Sequence, residues 1–165
     1  MSQGNSASEL RDVIVDPGKE GYNLLQSPFY LIAHADFQYH AEMESLLARH
    51  GTSTSIYRVL TVLRLNDTMS ITDLARHALI KRNTVSRLVE RMKTQEFVNV
   101  SSDPQDNRVT LVQLSDHGRA LLGRLTPLIG RLIARAFDGI EAQDMRTLVG
   151  VLNRIVDNLD APQRD

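Results

Sequence analysis

The sequence predicts a mainly helical fold carrying one small β-hairpin, and three observations predict it. Apolar residues recur at threes and fours through most of the chain, the period falls to two only between about Val98 and Leu114, and Gly-, Pro- or Asn/Asp-rich breaks separate the helical stretches. With 165 residues and 42% hydrophobic content, such a chain buries roughly 70% of its unfolded surface, which suits one compact domain. Zero cysteines exclude disulfides, thiolate nucleophiles, Cys-ligated zinc and thiol sensing. No uncharged apolar run reaches membrane-spanning length, and MSQGNSASELRD has neither a basic nor an apolar leader segment, so a cytoplasmic location is expected.

Each element follows in order. Residues 1–22, rich in Ser, Gly, Asn and charge and broken by DPGKEG, are expected to be a flexible tail, with 161–165 a second one. Ser27 to His50 reads as a long helix through Phe29, Ile32, Ala33, Phe37, Met43, Leu46 and Leu47, closed by Gly51. A second helix starts where Ser53 or Thr54 can cap and carries Ile56, Val59, Leu60 and Leu63 until Asn66 and Asp67. SITDLARHAL is a short third helix, in which Ser70 and Asp73 form a start resembling a capping box. After a tight link, Val85, Leu88, Val89 and Met92 at i, i+3, i+4 and i+7 define a fourth helix, so the pair makes a helix-turn-helix candidate.

Val98 and Val100, then Val109, Leu111 and Leu114, frame a two-stranded hairpin whose polar connection holds Asp103, Pro104, Asp106 and Asn107, a projecting wing. Ser115 can cap a helix to about Phe137, interrupted by Pro127, and a final helix runs from about Glu141 to Leu159. Its stripe of Met145, Leu148, Val149, Leu152, Ile155, Val156 and Leu159 exceeds what one small subunit can cover. The first and last helices are therefore expected to seal a homodimer, although packing on each other is the plainer alternative.

Charge is distributed unevenly. Ser70 to Lys93 holds six basic and two acidic residues, a local +4 in a chain of formal charge -1. A charged helix face is often merely solvated. Here, however, the charge sits on the second helix of a helix-turn-helix and a wing bearing Arg108 follows, the pattern of a double-stranded DNA reader.

The run MSITDLARHALIKRNTVSRLVERMKTQEFVNVSSDPQDNRVTLVQLSDHG resembles the winged helix-turn-helix core of MarR-family transcriptional regulators. The resemblance rests on LA before the turn, TVSRLVERM on the recognition helix, Asp106-x-Arg108 in the wing and LSDHG opening the next helix. It implies a single MarR-like domain over 23–160, with a DNA-binding lobe at 53–114 and dimerisation helices at 23–50 and 115–160. Three positions depart from the family pattern: Leu79 and Glu96 stand where glycine is common, and Lys81 places a positive charge near a helix start, against the helix dipole.

A recognition helix in the major groove presents its N-terminal residues to base edges, which makes Arg82, Asn83, Thr84, Ser86 and Arg87 the candidates. Asn83 suits adenine, an arginine suits guanine, and Thr84 offers a methyl group or a hydroxyl. Ser86 reads equally as an ordinary helix-surface serine. Lys81, Arg91 and Lys93 suit phosphates or solvent, and Ser70 and Thr72 suit phosphate contact or simple capping. Arg108 is expected to enter the adjacent minor groove, with Asp106 holding either it or a recognition-helix arginine in place. A two-fold dimer then requires a palindromic operator.

The resemblance further implies a repressor released by a phenolic or aromatic carboxylate effector bound between the dimer helices and the DNA-binding lobe. Tyr30, His34, Phe37, Tyr57 and Arg58 form the candidate set, able to stack a ring and pair a carboxylate, and equally readable as core packing with an exposed arginine. No cofactor is expected. Metal sensing would need the scattered His34, His40, His50, His77 and His117 to assemble a site. Catalysis gains nothing from Ser115, Asp116 and His117, adjacent residues unable to form a triad among themselves. A winged helix used only for protein contact is the remaining alternative.

Overall fold

The computed structural model describes residues 12–161. Residues 12–15 form a helical turn and Leu24–Gln26 a 3-10 turn, while residues 1–11 of the expected N-terminal tail and residues 162–165 lie outside the described residues. The main elements are α1 (Pro28–Ala48), α2 (Thr54–Asn66), β1 (Thr68–Ser70), α3 (Ile71–Ala78), α4 (Arg82–Thr94), β2 (Val98–Ser102), β3 (Thr110–Leu114), α5 (Asp116–Ala136) and α6 (Ala142–Asp160). No helix among the described residues is long and apolar enough to cross a membrane.

The wing differs from a simple hairpin. Beyond β2 and β3, paired antiparallel from Val98↔Leu114 to Ser102↔Thr110, β1 lies on the other side of β3 with Met69 opposite Val112. The sheet order is β1-β3-β2. Ser70 ends β1 and caps α3, so the sheet leads directly into the helix-turn-helix.

Two compact units divide within α5, between Leu125 and Thr126. In the first, Met43, Leu47, Ile56, Leu60, Leu63, Leu74, Val85, Val89, Met92 and Leu122 are almost fully buried, each contributing roughly 1.5–3 kcal/mol of burial energy. Val85, Val89 and Met92 form the apolar face that seats α4. This unit extends past residue 114 because the first turns of α5 pack onto it. Ser115 Oγ accepts from Gly118 N–H at 3.0 Å and donates to the Glu96 carbonyl at 2.5 Å. A Cβ at Gly118 would stand 2.1 Å from the Phe97 carbonyl oxygen.

Apolar periodicity on α1 does not translate uniformly into burial. Met43 and Leu47 are buried, whereas Phe29, Ile32 and Phe37 remain exposed, Phe37 at 68%. In the second unit, Pro127 interrupts the α5 ladder, since it has no N–H to offer the Gly123 carbonyl. No residue of α6 is buried, and Leu148, Val149, Val151, Val156 and Leu159 all stand exposed.

Candidate nucleic-acid interface

The helix-turn-helix is shaped by two helix ends that use residues other than glycine. Leu79, at φ 54°, closes α3 while the N–H of Ile80 reaches the Ala75 carbonyl at 3.0 Å. Glu96, at φ 59°, closes α4, with Phe97 N–H on the Met92 carbonyl at 2.8 Å and Glu96 N–H on the Lys93 carbonyl at 2.9 Å. Both are left-handed endings that satisfy orphan carbonyls, at a side-chain strain glycine would not carry.

The N-terminus of α4 is electropositive. Its N-cap, Lys81, makes no side-chain cap, and no acidic residue sits in the first turn, so the dipole's positive pole and its free N–H groups are left unneutralised. Arg82, Asn83, Thr84, Arg87, Arg91 and Lys93 are exposed, and Ser86 is half-buried with its hydroxyl donating to the Arg82 carbonyl at 3.2 Å. Among the described residues, Lys81, Arg82, Arg87, Arg91 and Lys93 form no ion pair with a carboxylate. Arg76 and Arg119, by contrast, are paired with Asp73 and Asp116 at 2.9 Å each.

The wing arginine is held rather than free to sweep. Arg108 Nε donates to Asp106 Oδ1 at 2.9 Å and its Nη2 to Oδ2 at 3.0 Å, while its backbone N–H donates to the same carboxylate at 3.0 Å. Arg108's side chain, then its backbone N–H, hold the Asp106 carboxyl below the usual range, and Asp106 raises the guanidinium above its own. The Arg108 side chain is nevertheless 91% exposed, so its remaining donors face solvent.

A cleft of about 340 Å³ brings four of the sequence candidates together: Ser70, Thr72, Arg82 and Arg108 line it, with Asp73 and Thr110. Ser70's hydroxyl is committed to the helix cap, donating to Asp73 Oδ2 at 2.7 Å and accepting from the Asp73 N–H at 3.1 Å. Thr72 is exposed.

The candidate effector residues do not converge in the same way. Tyr30 and His34 lie with ring centroids 5.9 Å apart, and His34 is 3.5 Å from Gln38. No hydrogen bond, ion pair or ring contact among the described residues joins Tyr30, His34 or Phe37 to Arg58. Arg58 instead meets His40 at 3.2 Å. Tyr57 acts on Tyr39, whose phenol is pushed up by burial first and by Tyr57 second, with Arg58 opposing. The effector set read from the sequence omits His40 and Tyr39, because pairing them with α2 requires knowing where α1 crosses it. Among the described residues no three His, Asp or Glu side chains gather as a metal site would need.

A helix-turn-helix with an exposed cationic recognition helix and an arginine-bearing wing defines a winged-helix DNA-binding protein. The MarR family model matches residues 53–110. The chain is 30% identical over 145 residues to the transcriptional repressor IacR of Pseudomonas putida, covering 88% of this chain and 87% of that protein. Among solved structures, a MarR family regulator from Silicibacter pomeroyi superposes with a TM-score of 0.76 at 27% identity, covering 86% of this chain and 96% of that one. BpsR of Bordetella bronchiseptica, whose DNA binding is regulated by 6-hydroxynicotinic acid, has a TM-score of 0.70 at 26% identity, covering 77% and 96%. The chain belongs to the MarR family of transcriptional regulators.

Proposed function

We propose that this regulator is a homodimeric repressor that holds a palindromic operator through α4 and the wing, and leaves it when a small aromatic carboxylate or phenol binds. The observation that carries the DNA reading is the shared cleft of Thr72, Arg82 and Arg108 beside a recognition helix whose cations have no carboxylate partner. In this reading Arg82, Asn83, Thr84 and Arg87 approach base edges in the major groove and Arg108 enters the minor groove. Lys81, Arg91 and Lys93 meet phosphates. The repressor reading draws on the similarity to IacR, and the effector reading on the similarity to BpsR. The exposed apolar faces of α1 and α6 support dimerisation.

Selection of duplexes from a random pool tests the proposal. The expected product is an inverted repeat with half-site centres about one helical turn apart, released by 6-hydroxynicotinic acid or a related aromatic acid. Arg108→Ala should weaken binding roughly ten-fold while leaving the fold intact, with a shallower salt dependence. Unchanged affinity and slope would remove the wing from the interface.

A further inference from the structure

One imidazole nitrogen stands between α1 and the turn that leads into the recognition helix. Arg58, half-buried on α2, donates from Nη2 to His40 Nε2 on α1 at 3.2 Å and from Nη1 to the Ala78 carbonyl at 3.4 Å. Ala78 ends α3, where carbonyls lack a helical donor, and the left-handed Leu79 follows it on the way to α4.

That nitrogen has two claimants. A guanidinium only donates, so the bond to Arg58 uses the Nε2 lone pair, whereas Asp36 Oδ1, 3.3 Å from the same atom, is an acceptor and requires Nε2 to carry a proton. The two cannot be served at once. Imidazoles change charge between about pH 5 and 8, and the His40 side chain is 35% exposed, so solvent protons reach it. On α1 its charged neighbours are Asp36 and Glu44, which lines a cleft with it, while Tyr39 meets the ring at 5.7 Å. On α2 it faces Arg58, and Tyr57 acts on Tyr39. On α3, beside Ala78, the titratable side chain is His77, whose Nδ1 lies 2.8 Å from the Asp73 carbonyl of its own helix.

We infer that the proton on His40 Nε2 is a switch. Without it, α1 is tied through Arg58 to the turn before the recognition helix; with it, that tie is exchanged for a bond inside α1. Protonation turns Nε2 to Asp36, four residues back on the same helix, and sets an imidazolium against the guanidinium. Arg58 then loses its anchor on α1, and the end of α3 is no longer joined to that helix. The coupling is present above the imidazole range and is lost as pH falls through it. The tie rests on the geometry of the subunit; its effect on an operator rests on the DNA-binding reading above. The direction is diagnostic, because protonating histidines elsewhere adds positive charge and strengthens attraction to phosphates, whereas the switch weakens binding in acid.

Amide protection factors, with the intrinsic exchange at each pH divided out, read the switch on the full chain. Between about pH 8 and about pH 5.5, protection at Leu79 and Ile80 should fall roughly ten-fold in the wild type, the equivalent of one charged hydrogen bond lost. His40→Gln, whose amide oxygen accepts from Arg58 at every pH, should hold its protection throughout. Val59, Leu60 and Leu63 should stay protected in both proteins, distinguishing a freed turn from a failing fold. No loss in the wild type, or the same loss in His40→Gln, overturns the switch. Asp36→Asn should move the loss to lower pH, and an unmoved midpoint overturns the exchange of partners. Binding to the selected duplex is read separately and should weaken in acid for the wild type alone; equal or tighter binding in acid overturns the transmission to α4. A wild-type protein that binds no duplex at either pH refutes the DNA-binding reading and leaves the protection result standing.

Discussion

Leu79 combines an exposed apolar side chain, 85% accessible, with a left-handed backbone at φ 54°. Left-handed geometry costs a side chain about 1–2 kcal/mol, and a glycine would give back about 0.5–1 kcal/mol through the greater freedom of its unfolded chain. Since no buried contact is lost, Leu79→Gly should stabilise the protein by about 0.5–1 kcal/mol, read as a small rise in the thermal midpoint. Glu96 has the same backbone problem, but its carbonyl accepts the Ser115 hydroxyl. The wing ion pair has a definite pH sense. Asp106 has a lowered pKa in the fold, so whatever it contributes is present at neutral pH and is lost only as pH falls through that lowered value.

At the scale of elements, the start of α5 makes one very close approach to the lobe, beside the Ser115 hydrogen bonds. A methyl group at Gly118 would meet the Phe97 carbonyl oxygen at 2.1 Å and its carbon at 3.0 Å, both backbone atoms that cannot swing aside. Gly118→Ala should therefore destabilise by about 3 kcal/mol in a denaturant titration, with the Ser115 cap disturbed as well. This accounts physically for the glycine in LSDHG, which the sequence pattern displays without explaining. The helices were legible because Ile56, Leu60, Leu74, Val85 and Val89 repeat at helical spacing and seat in one core. The strand Thr68–Ser70 was not, because three residues show no period and their partner, β3, lies more than forty positions away. The helix ends at Leu79 and Glu96 carry no turn residue to announce them. On α1, Tyr30, His34 and Phe37 share a helical face, but periodicity states only that they are neighbours, and among the described residues no hydrogen bond, ion pair or ring contact joins them to Arg58. His40 meets it, and only the crossing of α1 over α2 reveals that contact.

For the whole molecule, the uncovered faces of α1 and α6 set the oligomeric expectation. Val156 is 54% exposed, so Val156→Asp costs an isolated chain little and burdens a two-fold interface with two unpaired carboxylates. The variant should sediment as a monomer and lose roughly a hundred-fold or more in operator affinity, since the second half-site no longer benefits from the first. A variant that remains dimeric at full affinity would move the interface elsewhere. The strand β1 has a further consequence for what sequences such a protein can read. Ser70 belongs at once to the sheet that carries the wing and to the cap of α3, so the lobe works as a calliper with welded jaws. On the proposed reading, in which α4 and Arg108 both meet the duplex, the offset between the bases beneath them is a property of the subunit and not of the operator. A dimer built in this way leaves variation among its proposed sites to the spacer between half-sites and to the letters within each.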